Sequence, residues 1–334
     1  MAISTTITHV VLTGGIGSRL WPLSRKTLPK QYLELFDGQS LFEKTVARNE
    51  NVSTKIIVVG NIENYKMTNA IMSKLNKHFT HIVEAVPRNT AAAIAFAAFA
   101  SKPDDILLIT PSDHIIEGSD LYNNALWRAI VLANQEYLVT FGIEPTKPET
   151  GYGYIEFENE NVIAFHEKPD FETAMIYLKN KKYFWNSGLF CFKAGKFLAE
   201  LEKQEPEVYK ASKIAWENNT NGFLSYELSL KIPSISIDYA VMERSKDIKV
   251  VPAHFGWSDL GSFESVYDYL VQKGHPIDAN RNIVIGTSLH TTFIGVKNCI
   301  LIYTTDALMV LQKENSQEVK QVYQQLESIA SPLL

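Results

Sequence analysis

The sequence predicts an α/β fold built on a Rossmann-like, doubly wound, mostly parallel mixed sheet, and three observations predict it. Between Thr8 and Gly142, short apolar runs alternate with helical segments. The runs are unbroken rather than alternating, which is how strands read when both faces of the sheet are covered. A glycine-rich turn follows the first run directly, at the carboxyl end of a strand, where open α/β sheets bind their ligands.

The elements follow in order. Strands are expected at His9–Thr13, Lys55–Val59, Thr80–Val83, Ile106–Thr110 and Leu138–Phe141, with helices at Leu41–Arg48, Glu63–Leu75, Thr90–Phe99 and Leu121–Gln135. Repeated strand–helix–strand units imply a parallel sheet. From Gly151 the texture changes. Tyr152–Phe157 and Val162–Glu167 read as a hairpin and Phe184–Phe192 as a further strand that completes the sheet. Helices are expected at Phe171–Asn180, Ala194–Lys203 and Val208–Trp216. Beyond about Pro276 come short strands at Asn282–Gly286, Thr292–Val296, Cys299–Tyr303 and Leu308–Leu311, then a helix over Gln317–Ser328. The expected division is 1–275 for a catalytic domain and 276–334 for a small β-rich appendage. So short a segment is a poor candidate for independent stability.

Composition narrows the function classes. The 334 residues carry a net charge of -5, with 46% hydrophobic and 21% charged residues, as in a globular protein. An acidic chain lacks the basic face of a nucleic-acid binder, so no nucleic-acid partner is expected. Cys191 and Cys299 are too few and too isolated for a disulfide framework or a zinc site and read as buried thiols. The longest apolar stretch, Ala91–Ala100, is about half of the ~20 residues that a membrane span needs. No secretory signal is visible. The expectation is a cytoplasmic protein without a membrane partner.

The turn after the first strand runs Gly14-Gly15-Ile16-Gly17-Ser18-Arg19-Leu20-Trp21-Pro22. Glycines there let backbone N–H groups approach a phosphate. A Walker A loop is absent, since no Gly-Lys-Ser/Thr follows. A dinucleotide fingerprint needs a third glycine, where Leu20 stands, and a helix that Trp21-Pro22 opposes. What remains is a glycine turn followed by Arg19, Arg25, Lys26 and Lys30, charge suited to a triphosphate. Lys30 follows an exposed glycine loop and a proline, where core packing is not expected; a merely solvated lysine is the alternative.

Gly14–Arg25 followed by Pro29-Lys30-Gln31 resembles the signature of the sugar-nucleotide pyrophosphorylases, most of all that of bacterial mannose-1-phosphate guanylyltransferases in their monofunctional form. The likeness continues through Arg88-Asn89-Thr90-Ala91, Pro111–His114, Phe141–Tyr154, Glu167-Lys168-Pro169, Trp185–Gly188, Ser236–Glu243 and Trp257–Ser262. Departures fall at Ala85, Pro87, Ala92 and His166, mostly in the guanine-side segment. The resemblance implies a nucleotidyltransferase-type fold with a β-helix-like appendage and no C-terminal isomerase module.

It further implies GTP and mannose 1-phosphate as substrates, Mg²⁺ as cofactor, GDP-mannose and pyrophosphate as products, and a homodimer. Arg19 and Lys30 would be catalytic. Leu12, Gly14, Gly15, Gly17, Ser18, Arg88, Asn89 and Thr90 would bind the nucleotide, and Gly153, Glu167, Lys168 and Asn186 the sugar phosphate. Asp113 and Asp259 would hold the metal. Two other readings stay open: the same chemistry on another sugar phosphate, such as a heptose, or another nucleotide, and a catalytically silent nucleotide-sugar-binding regulator. Arg88 and Asn89 can equally be read as caps of the helix that follows.

Overall fold

The computed structural model describes residues 6–334. Its elements in chain order begin with β1 (Ile7–Leu12), α1 (Leu41–Arg48), β2 (Lys55–Asn61), α2 (Tyr65–Lys74), β3 (Thr80–Glu84), α3 (Asn89–Phe99), β4 (Ile106–Pro111), β5 (Ile115–Glu117) and α4 (Ser119–Asn134). Next come β6 (Leu138–Ile143), β7 (Tyr154–Glu158), β8 (Asn161–His166), α5 (Phe171–Lys179), β9 (Tyr183–Lys193), α6 (Ala194–Gln204), α7 (Pro206–Glu217) and α8 (Tyr226–Leu230). The last are β10 (Ile248–Ala253), β11 (Gly256–Ser258), α9 (Phe263–Gln272), β12 (Ile283–Ile285), β13 (Cys299–Tyr303), β14 (Leu308–Gln312) and α10 (Val319–Ser328). No helix among the described residues is long and apolar enough to cross a membrane. The chain forms two compact units.

Of the described residues, the first unit gathers 6–14, 45–112 and 116–257. Its centre is a nine-stranded sheet in the order β3-β2-β1-β4-β9-β6-β10-β8-β7. β3, β2, β1 and β4 are mutually parallel, as are β6 and β10. β9 enters antiparallel between β4 and β6, so the insertion completes the sheet from within. β10 carries no clear strand signal in the sequence, because Ile248–Ala253 is interrupted by Lys249 and Pro252.

The continuous apolar runs have a direct cause. Along β4, Leu107 and Ile109 join one buried cluster and Ile106 and Leu108 the other, and all four have no exposed surface. Alternate residues of a strand point to opposite faces, so a sheet covered on both sides demands apolar residues at every position. One layer contains α3, α6 and α7; the other is dominated by α4. Every residue of α3 from Ala91 to Ala98 is buried, as expected of a helix that is apolar all round.

The second unit gathers residues 15–44, 113–115 and 258–334. β12 pairs parallel with β13, and β13 antiparallel with β14. The segment beyond Pro276 does not build its core alone. Ile283, Ile285, Ile300, Ile302, Val319 and Tyr323 share one cluster with Leu20, Trp21, Leu41, Phe263 and Tyr267. The strand expected at Thr292–Val296 is not formed. Gly295 takes a left-handed φ of 75° and Ile294 is 88% exposed, so that stretch has neither extended backbone throughout nor a face to bury. Cys191 in β9 and Cys299 in β13 are buried free thiols, in line with the sequence.

Candidate active site

Within the second unit the glycine turn is held by its own residues. Gly17 adopts φ 78°, a left-handed conformation that costs a side chain about 1–2 kcal/mol. Its carbonyl accepts the Ser24 hydroxyl at 2.6 Å, and the Lys30 N–H donates to the Ile16 carbonyl at 3.0 Å. A Cβ on Gly17 would lie 2.5 Å from Lys30 Cβ. Cβ atoms on Gly14 and Gly15 would meet nothing within 4 Å, so the backbone there is open to a close neighbour.

Lys30 is not a solvated loop residue, as its position after proline had suggested. It is only 4% exposed and opens a short 3-10 turn, Lys30–Tyr32, whose three residues are all buried. Its ammonium donates to Asp113 Oδ2 at 2.8 Å and to the main-chain carbonyl of Asp259. The two residues expected to bind metal are thus gathered around one lysine, although far apart in sequence. Burial works against ionisation of Asp113, but Lys30 and then His114 outweigh it and hold the carboxyl below its usual range. Asp259 folds back on its own loop, accepting the Gly261 N–H at 3.0 Å, and Leu260 between them is left-handed at φ 43°. A Cβ on Gly261 would come within 2.5 Å of Asp259 Oδ2, so the carboxylate could not lie where it does beside a larger residue.

These donors fit a hard divalent cation. Carboxylate oxygens are its preferred protein ligands, and a cation held by one or two of them takes phosphate oxygens for the rest. The Asp113 side chain is 33% exposed, so it keeps an open face while bound to Lys30. Among the described residues no group of three or more His, Cys, Asp or Glu forms a self-sufficient metal cage.

The other basic residues of the turn are spent elsewhere, which corrects the reading of all four as triphosphate charge. Arg25 pairs with Asp306 at 2.7 Å and donates to the Leu333 carbonyl; Lys26 pairs with Glu327 at 2.8 Å. Both fasten the C-terminal segment. Arg19 donates to Gln317 Oε1 at 3.1 Å, a neutral partner.

In the first unit, Gly153, Glu167 and Asn186 converge. A Cβ on Gly153 would lie 2.5 Å from Glu167 Oε2 and 3.7 Å from Asn186 Cβ. Lys168, left-handed at φ 44°, reaches Glu167 Oε1 at 2.5 Å and is 62% exposed. Asn186 is aimed by an irregularity in β9. The register with β6 slips between Thr140 and Gly142, and Gly188 within the slip has φ 71°. The Ser187 hydroxyl satisfies the backbone there, donating to the Phe141 carbonyl at 2.7 Å and accepting the Leu189 N–H at 3.2 Å. Such bulges re-aim side chains beside active sites.

Sequence reasoning gave no role to Thr140, Ser187 or Asp238, all tied to this group. Asp238 accepts the Asn186 Nδ2–H at 2.8 Å, and burial followed by Glu167 pushes its carboxyl up. Its only sequence signal was its place in the Ser236–Glu243 motif.

Also in the first unit, Leu12 ends β1, its carbonyl accepting the Ser112 N–H at 3.1 Å. Arg88 donates Nε–H to the Ile232 carbonyl at 2.6 Å and makes no side-chain cap, while Thr90 Oγ1 accepts the Ile237 N–H at 2.8 Å. Asn89 Oδ1 takes the Thr90 N–H at 2.8 Å, with Asn89 itself at φ 67°. Of the two capping candidates, only Asn89 holds a helix N–H with its side chain. Glu84, four residues before Arg88, is buried, and desolvation raises its carboxyl to about 7.

The chain is similar to known proteins over nearly its whole length. Residues 8–273 match the family described as nucleotidyl transferase, and residues 276–326 the MannoseP isomerase/GMP-like beta-helix domain. The xanthan biosynthesis protein XanB of Xanthomonas campestris pv. campestris (strain B100) is 39% identical over 96% of this chain and 73% of its own length. A mannose-1-phosphate guanylyltransferase of Salmonella muenchen is 38% identical with the same coverage. Among solved structures, one described as a mannose-1-phosphate geranyltransferase from Thermus thermophilus superposes with a TM-score of 0.84 at 28% identity, covering 97% of this chain and 100% of that one. Another, described as a mannose-6-phosphate isomerase from Helicobacter pylori, gives 0.69 at 36% identity over 76% of this chain and 99% of its own. The chain belongs to the nucleotidyl transferase family, among the mannose-1-phosphate guanylyltransferases.

Proposed function

We propose that the protein joins mannose 1-phosphate to the guanylyl group of GTP, giving GDP-mannose and pyrophosphate. The observation that carries this reading is the burial of Lys30 beneath Gly17, with its ammonium shared between Asp113 and the Asp259 carbonyl. A lysine placed so is a fixed positive charge, and phosphoryl transfer is catalysed chiefly by positioning and positive charge.

A phosphate oxygen of the sugar phosphate attacks the α-phosphorus, the bond to the bridging oxygen breaks, and pyrophosphate leaves with that electron pair. No general base is required, since the second ionisation of a phosphate monoester lies near ~6 and the nucleophile is already anionic at neutral pH. Repulsion between the two anions is the obstacle, about 4 kcal/mol per pair of unit charges at 4 Å and an effective dielectric of 20. Lys30 and Arg19 offset it. Mg²⁺, held by Asp113 and Asp259, would supply further positive charge to the phosphate oxygens when bound.

Leu12, Gly14, Gly15, Gly17 and Ser18 take the phosphates through main-chain groups. Because the Arg88, Asn89 and Thr90 side chains are tied to backbone partners, guanine is read mainly by main-chain groups of that segment. Gly153, Glu167 and Asn186 take the hexose, and the exposed Lys168 its phosphate. The test is pyrophosphate release with all four nucleoside triphosphates against several sugar 1-phosphates. GTP with mannose 1-phosphate should be the best pair; equal turnover with UTP overturns the base assignment, and preference for a heptose 1-phosphate the sugar assignment.

A further inference from the structure

Every polar atom of the Asn186 side chain has a partner. Its Oδ1 accepts the Gly188 N–H at 3.2 Å and lies 3.3 Å from the Thr140 hydroxyl, while its Nδ2 donates to Asp238 Oδ1 at 2.8 Å. The orientation of the amide is therefore determined by its surroundings: a backbone donor fixes the oxygen, and a carboxyl acceptor fixes the nitrogen. One N–H of Nδ2 remains. Asn186 consequently offers a ligand a hydrogen-bond donor.

Asp238 comes from a different part of the chain, where it is the first residue of a wide helical turn over Asp238–Met242. Without it, the planar amide would be held only through the longer contacts of its oxygen, 3.2 Å and 3.3 Å, and could turn as a unit. We propose that Asp238 is a positioning residue that locks Asn186 as the hydrogen-bond donor beside the Glu167 acceptor, so that together they grip a hydroxyl pair of the hexose. This rests on the reading of Gly153, Glu167 and Asn186 as the sugar site.

What Asp238 supplies to Asn186 is an acceptor atom, its Oδ1 at 2.8 Å. Burial, then the nearby Glu167, already disfavour its ionised form. An asparagine at this position offers the same acceptor, an alanine none.

The experiment compares Asp238→Ala, Asp238→Asn, Asn186→Ala and the double variant Asp238→Ala/Asn186→Ala in the full chain, reading KM for mannose 1-phosphate, KM for GTP and kcat. Asp238→Ala should raise KM for the sugar phosphate about tenfold and leave KM for GTP within twofold, a split that general loss of structure does not produce. Asp238→Asn should recover most of that loss, and the double variant should be no worse than Asn186→Ala alone. If Asn186→Ala leaves the sugar-phosphate KM unchanged, the sugar-site reading itself falls. If Asn186→Ala raises it but Asp238→Ala does not, or the two effects multiply, the positioning role is overturned while the sugar site stands. An Asp238→Asn variant as impaired as Asp238→Ala also overturns it.

Discussion

Lys30 occupies the space that a side chain on Gly17 would need, its Cβ 2.5 Å from where a Cβ on Gly17 would lie. Gly17 of the glycine turn and Lys30, the proposed catalytic lysine, are therefore one packing unit. Gly17→Ala combines the left-handed strain of about 1–2 kcal/mol with a clash that must move Lys30. Stability should fall by roughly 2–4 kcal/mol in chemical denaturation, and turnover at least tenfold. Unchanged kcat in Gly17→Ala would show that Lys30 need not sit where it does.

Lys30→Met keeps most of the buried stem and removes the charge. It leaves Asp113 without its main counter-charge, so both stability and turnover should drop, stability by about 1–3 kcal/mol because Asp113 is partly solvated. Adding Asp113→Asn should restore much of the stability and none of the turnover. Recovery of turnover in the pair, measured by pyrophosphate release, would make the lysine structural rather than catalytic.

The division between what the sequence disclosed and what it hid follows from distance along the chain. Strands such as Ile106–Pro111 were legible because their signal, an unbroken apolar run, is local; the helix Leu41–Arg48 is also fixed locally, by a reciprocal cap in which Ser40 N–H donates to Glu43 Oε2 at 2.7 Å and Glu43 N–H to Ser40 Oγ at 3.2 Å. The burial of Lys30 was not legible, since its cover comes from Gly17 and its partners from Asp113 and Asp259. Arg25 looked like ligand charge for the same reason, its acceptors being Asp306 and Leu333. Asn186 was named from its motif, but its direction is set by the Gly188 bulge and by Asp238. Pairings across 50 residues or more, such as Asn186 with Asp238, leave no periodic trace.

Glu84 gives a pH signature. Burial raises its folded-state carboxyl from 4.5 to about 7. A raised acid favours the folded protein at low pH, so its contribution is fully present below about 4.5 and is lost as pH rises through about 7. Relative to Glu84→Gln, the unmodified protein should lose stability across that window, on the order of a few kcal/mol in total. Urea denaturation of both forms at pH 5 and pH 8 measures the difference; parallel behaviour of the two would mean that Glu84 is solvated when ionised.

Attack by the sugar phosphate on the α-phosphorus is tested most directly by following oxygen. Mannose 1-phosphate labelled with oxygen-18 on its phosphate is incubated with GTP, Mg²⁺ and the purified chain, and the products are read by mass spectrometry. In-line transfer retains the whole label in GDP-mannose, in the bridge and the sugar-side phosphate, and releases unlabelled pyrophosphate. Label in the pyrophosphate, or failure to form any nucleotide sugar, would contradict the account.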